Sequence, residues 1–138
     1  MNEYDPFTGA IDDLPADMIH WAPLPRRLTI GLAFAIKGWQ VLFVELTQRS
    51  NFFAQVGLPF PFLLALIFGA VEFLGGGLLL LGGYVRSVGI LLVTIEIIAI
   101  WPVHIERGFI PGSALNLLLI GGLISLIFSG PGRLSLTR

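Results

Sequence analysis

The 138 residues of this chain include no cysteine. That absence removes disulfides, thiol relays, thiolate zinc sites and cysteine-ligated iron–sulfur clusters from its own chemistry. Histidine is nearly absent too. His20 lies before the first apolar run and His104 at the end of the third, and no second histidine or cysteine accompanies either, so a metal site is not expected. Charged residues make up 12% of the chain, against about 25% in an average soluble domain. A net charge of -1 leaves no electrostatic footprint for nucleic acid. Strict apolar–polar alternation is missing as well, which argues against a membrane β-barrel.

What is present is apolar: 55% of the residues, with a mean hydropathy of +0.87. Four continuous runs carry it, at about 28–46, 62–82, 87–105 and 113–128. Each approaches the roughly 17–25 helical residues that cross a hydrocarbon core. The expected fold is therefore all-α, an integral membrane four-helix bundle formed by residues 28–130. An acidic tail (1–27) precedes it and a short tail (131–138) follows. The N-terminal tail holds Glu3, Asp5, Asp12, Asp13 and Asp17 and has no basic segment ahead of an apolar core, so it does not read as a secretory signal. Its interspersed Tyr4, Phe7, Ile11, Leu14, Met18, Ile19 and Trp21 read as a segment that orders on a partner's surface. Arg26, Arg27, Arg86, Arg133 and Arg138 flank one side of the four runs, and Arg49 and Arg107 the other. Positive charge marks the cytoplasmic face, so both termini are expected in the cytoplasm of a bacterial-type inner membrane protein with several passes.

Glycine is the next signal. Gly69, Gly76 and Gly83 recur every seven residues, as do Gly31 and Gly38, and Gly121, Gly122, Ser125 and Ser129 form a similar small-residue set. In lipid, small residues let helix backbones approach closely, and that contact drives association. Packing is a sufficient account of these positions.

Packing does not account for three ionisable residues. Glu72 is eleventh of the 21 residues from Phe62, Lys37 tenth of 19 from Leu28, and Glu96 tenth of 19 from Ser87, so all three fall near the midplane. Left unpaired, each would cost about 2.5–3.5 kcal/mol on insertion scales. Lys37 is therefore the expected partner of Glu72 or of Glu96. One lysine cannot neutralise two carboxylates, so a site shared by all three can take up a proton. Two readings stay open, an ion pair that fixes helix register and a contact for protons, quinone or substrate. Gln40, one turn from Lys37, is a candidate member of the same cluster. His104, in the stretch WPVHIERGFIPG, is a further candidate for a quinone headgroup or a neighbouring subunit, and Pro102 is expected to break or kink the helix there. The loop TQRSNFFAQVGLPFPF, rich in phenylalanine, reads as an interfacial anchor, with a lid over a crevice as the alternative.

The order of these features resembles the DoxX family of small four-helix membrane proteins. The resemblance runs from about Arg27 to Leu136, through RLTIGLAFAIKG, GLPFP, VEFLGGGLLLLGGYVR, VHIERGF, NLLL and SGPGRLSL. The family's positions fall on Gly31, Gly38, Glu72, Gly76, Gly82, Arg86, His104, Asn116, Gly130 and Gly132. Where members often carry a lysine, an acidic residue and a closing aspartate, this chain has Val41, Leu117 and Thr137. The resemblance implies association with thiosulfate:quinone oxidoreductases and other membrane redox assemblies. On this reading the chain is a non-catalytic accessory subunit of a larger membrane complex, in contact with lipid and other membrane subunits. The alternative is a quinone-interacting subunit that uses Lys37, Gln40, Glu72, Glu96 and His104. No cofactor is expected to be bound by this chain alone, and quinone or lipid are the small molecules its polar cluster suggests.

Overall fold

A computed structural model of the protein describes residues 15, 18, 21, 23–107 and 113–130, except for the side chains of 102–107 and 113. Most of the expected docking tail, with His20, the His104 side chain and the terminal Gly132 and Thr137, lies outside the described residues. All regular structure among the described residues is helical: α1 (Pro23–Phe43), α2 (Leu46–Gln55), α3 (Pro61–Leu81), α4 (Val85–Arg107) and α5 (Ser113–Ser129).

The element ends follow from local chemistry. α1 starts five residues before the apolar run does, because Pro23 and Pro25 occupy its first turn, where a missing N–H costs no hydrogen bond. It stops at Phe43, where the Val44 and Glu45 amides both donate to the Gln40 carbonyl, at 2.9 and 2.8 Å. The chain then turns by 88° into α2, so the loop expected there as an anchor contains a helix of 10 residues. α3 opens on Pro61 and closes at Gly82, whose φ of 75° is costly for any residue with a Cβ. The Gly83 amide then donates to the Leu78 carbonyl at 2.9 Å, a closure common at helix C-termini. α4 runs past Pro102 to Arg107, so the proline does not end the helix.

α3 is long and apolar enough to cross a membrane by itself. α1 and α2 pass that test only together, across their bend, and α5 is a shorter apolar helix. α3 at 21 residues spans about 31 Å, close to the thickness of a hydrocarbon core. The outward surface fits lipid: Leu32, Trp39, Phe43, Leu74, Trp101 and Phe128 are all at least half exposed, more apolar surface than a water-facing monomer presents.

Four helices pack in a ring of contacts, α1 on α3, α3 on α4, α4 on α5 and α5 back on α1, while α2 lies on α3. Glycine sets the closest of these approaches. A Cβ on Gly38 would overlap the Phe73 backbone and lie 2.8 Å from the Gly69 carbonyl oxygen, and one on Gly76 would lie 2.6 Å from the Gly31 carbonyl oxygen. The α1 and α3 backbones therefore touch. Around the rest of the ring, Gly75 receives Leu92, Gly89 receives Ile127 and Gly122 receives Ile30. The enclosed core contains Phe34, Leu79, Leu92, Leu123 and Leu126. A second cluster fixes α2, whose fully buried Phe53 packs on Ala65, Phe68 and Ile95, edge-on to Phe68 at 5.4 Å between ring centroids.

Candidate functional site

The backbone contact between α1 and α3 also determines where charge meets. Glu72 follows Gly69 by three residues and precedes Gly76 by four, so it shares the face that lies on α1. Lys37 adjoins Gly38, the residue pressed against Phe73. Lys37 Nζ consequently stands 3.3 Å from Glu72 Oε1. The same ammonium donates to Oε1 of Glu96 on α4. Helices α1 and α4 sit on opposite sides of the ring, and a four-carbon side chain is what spans that diagonal. One cation thus joins three helices.

Burial is uneven across this triad. The Glu72 and Glu96 side chains are 2% and 0% exposed, and Lys37 is 16% exposed. The fully buried Phe34 ring lies beneath the ammonium, its centroid 5.7 Å from Nζ, close enough for a cation–π attraction. An ammonium has three N–H donors. Two point at the carboxylates, which leaves one for an acceptor entering from the open side. The second oxygen of each carboxylate, Oε2 of Glu72 and Oε2 of Glu96, is buried without a hydrogen-bond partner. Such atoms are rare in native interiors and cost about 1–3 kcal/mol each.

The remaining candidates fall elsewhere. Gln40 is exposed and is not a partner of Lys37. The α4 backbone continues through His104, the side chain of which is outside the described residues. Among the expected packing glycines, Gly31, Gly38, Gly69 and Gly76 meet a neighbouring helix. Gly83 instead lies in the α3–α4 turn, and Gly121 has nothing within 4 Å of its Cβ position. Gly75 and Gly89 also receive a neighbouring side chain, which the period of seven that marks Gly69 and Gly76 does not select. No cluster of three or more metal-ligating side chains occurs among the described residues.

A different polar contact closes the ring at its other end. Arg26 of α1 donates through Nη1 to Ser125 Oγ and through Nη2 to Ser129 Oγ, both at 2.6 Å, tying α1 to α5. In the sequence these serines stand out only as small residues. The long reach of arginine across about a hundred positions of sequence leaves no local pattern to find.

Residues 22–105 match the DoxX family. A protein of Mycobacterium tuberculosis described as an uncharacterized membrane protein is 31% identical over 126 residues, covering 81% of this chain and 77% of its own length. No solved structure matches the chain. With Glu72, Gly31, Gly38 and Gly76 all inside the matched segment, which takes in well over half of the residues, the chain belongs to the DoxX family of membrane proteins.

Proposed function

We propose that this protein is an accessory subunit of a larger membrane assembly of the electron-transfer kind. Its own contribution is a binding place for a quinone headgroup at Lys37, Glu72 and Glu96, and the redox cofactor sits on a partner. α1, α3, α4 and α5 cross or nearly cross the bilayer, with both termini on the cytoplasmic side.

One observation carries the quinone part. Fixing helix register needs a single ion pair, yet the lysine meets two carboxylates, each with a buried oxygen that no protein group satisfies. The donor set suits such a ligand. The third N–H of Lys37 can donate to a quinone carbonyl, and the free carboxyl oxygens can accept from the hydroxyls of the reduced form. Exchange of protons with those hydroxyls is the chemistry that such a pair of carboxyls supplies. Without a ligand, the same triad still supports a purely accessory role, since it ties three helices into one rigid body.

Purification of the full chain in mild detergent, followed by solvent extraction and mass spectrometry of the lipid fraction, separates the two. Quinone is expected in excess of its share of the bulk lipid. In Glu72→Gln and Lys37→Met the retained quinone should fall roughly tenfold or more, the loss of a charge-assisted hydrogen bond, while helical circular dichroism is kept. Wild-type protein with no quinone above the bulk proportion rejects the headgroup site and leaves the accessory role, which co-purification of partner subunits then tests.

A further inference from the structure

Arg26 and Arg86, at one end of the molecule, carry charge that no described carboxylate balances. Arg26, in the first turn of α1, is held by Ser125 and Ser129. Arg86, in the first turn of α4, lays its guanidinium over the next residue of the same segment. A Cβ on Gly130 would lie 3.6 Å from Arg86 Nη2 and 4.0 Å from Nε. Two guanidinium groups from two helices therefore flank Ser129 and Gly130.

The carboxylates whose side chains are described are all elsewhere. Glu72 and Glu96 are engaged by Lys37, and Glu45 stands at the far end of α1, where the chain turns into α2. Arg86 is exposed and makes no ion pair among the described residues. Holding two like charges close together costs energy unless an anion joins them. The hydroxyl contacts meanwhile hold the Arg26 guanidinium in one orientation and leave one N–H on each terminal nitrogen, which lowers the ordering cost of donating to an oxyanion.

The surroundings indicate the depth. Tyr84 (67% exposed) and Trp21 (42% exposed) lie on the same end, next to α4 and α1, and such rings settle at the headgroup level of a bilayer. Leu28 and Leu32 continue outward-facing along α1 from there, a surface for an acyl chain. We infer that the Arg26–Arg86 end is a binding site for the phosphate of an acidic phospholipid headgroup. The site is separate from the triad and stands whether or not quinone binds there.

The test is native mass spectrometry of the detergent-purified full chain, equilibrated with phosphatidylglycerol or with phosphatidylcholine. Wild-type protein is expected to retain phosphatidylglycerol in preference. At about fivefold per arginine, equivalent to roughly 1 kcal/mol for each basic residue near a membrane surface, Arg86→Gln should weaken that preference about fivefold. Arg26→Gln with Arg86→Gln should weaken it about 25-fold. Arg49→Gln, at the opposite end, should leave it unchanged. Because Arg26 also ties α1 to α5, the exposed Arg86 alone keeps the test valid if the double variant fails to fold. Equal retention of both lipids, or a preference that Arg86→Gln does not alter, overturns the site. Displacement of phosphatidylglycerol by millimolar inorganic phosphate overturns the lipid assignment in favour of a soluble phosphate. A preference that appears only after residues 2–20 are deleted overturns it in favour of the chain's own acidic segment.

Discussion

Lys37 is the residue on which the polar interior depends, since it serves two carboxylates that have no other hydrogen-bond donor among the described residues. Removing it alone leaves two buried acids without a cation. Lys37→Met should therefore lower stability by about 3–5 kcal/mol, as when other buried pairs lose one partner. Replacing Lys37, Glu72 and Glu96 together by methionine should recover much of that loss, because apolar side chains of similar volume need no counter-charge. Unfolding in mixed micelles measures both. A triple variant no more stable than the single one would show that the three charges do not act as a unit. Part of this site could be read from the chain: counting into each apolar run placed the three ionisable residues at one depth. Which carboxylate the lysine meets could not be read. The answer depends on how far α1 and α4 are rotated toward the ring's diagonal, and no spacing records that. The unsatisfied Oε2 atoms likewise exist only once the side chains are packed.

At the scale of the helix, the same glycine residue type does opposite things. Gly38 and Gly76 hold α1 against α3, and a methyl group at either would meet backbone, which cannot move aside. Gly38→Ala and Gly76→Ala should cost at least about 1–3 kcal/mol, the range for overpacked interiors. Gly121→Ala faces open space and should be neutral or stabilising by up to about 1 kcal/mol, through helix propensity. Thermal melts of the three variants distinguish these outcomes, and equal losses at all three would refute the packing assignment. The period of seven found the α1–α3 contact, whereas Gly122, which receives Ile30, differs from the open Gly121 by one position and about 100° of helix rotation. α2 is not legible as an apolar run because Gln48, Arg49, Ser50 and Asn51 make its sequence too polar. Phe53 is its buried anchor, with Leu46 and Phe52 packed part-buried against the same cluster: Phe53→Ala should cost about 3–5 kcal/mol and raise hydrogen exchange in residues 46–55 more than in α3. Uniform exchange across both helices would show that α2 does not open separately.

For the whole molecule, arginine placement fixes an expected orientation that the packing leaves free. Single cysteines introduced at Asn51 and Ser87, in a chain with none of its own, should react with a membrane-impermeant label from outside and from inside respectively. The reverse pattern would invert the topology. The helical class follows directly from long apolar runs without alternation, while the order of helices around the ring does not, because every pair of apolar faces is chemically alike in lipid. The diagonal reach of Lys37 also has a consequence in time. The chain is made from its N-terminus, and Glu96 follows Lys37 by 59 positions. At about 5–20 residues per second, Lys37 is synthesised about 3–12 s before its last counter-ion. Glu72 arrives sooner, 35 positions on. A bare ammonium on a nascent α1 would cost about 2.5–3.5 kcal/mol in hydrocarbon, so entry of α1 into lipid together with α3 is the expected order. The need of a single amine for its acids thus makes α3 the expected companion of α1 on its way into the bilayer.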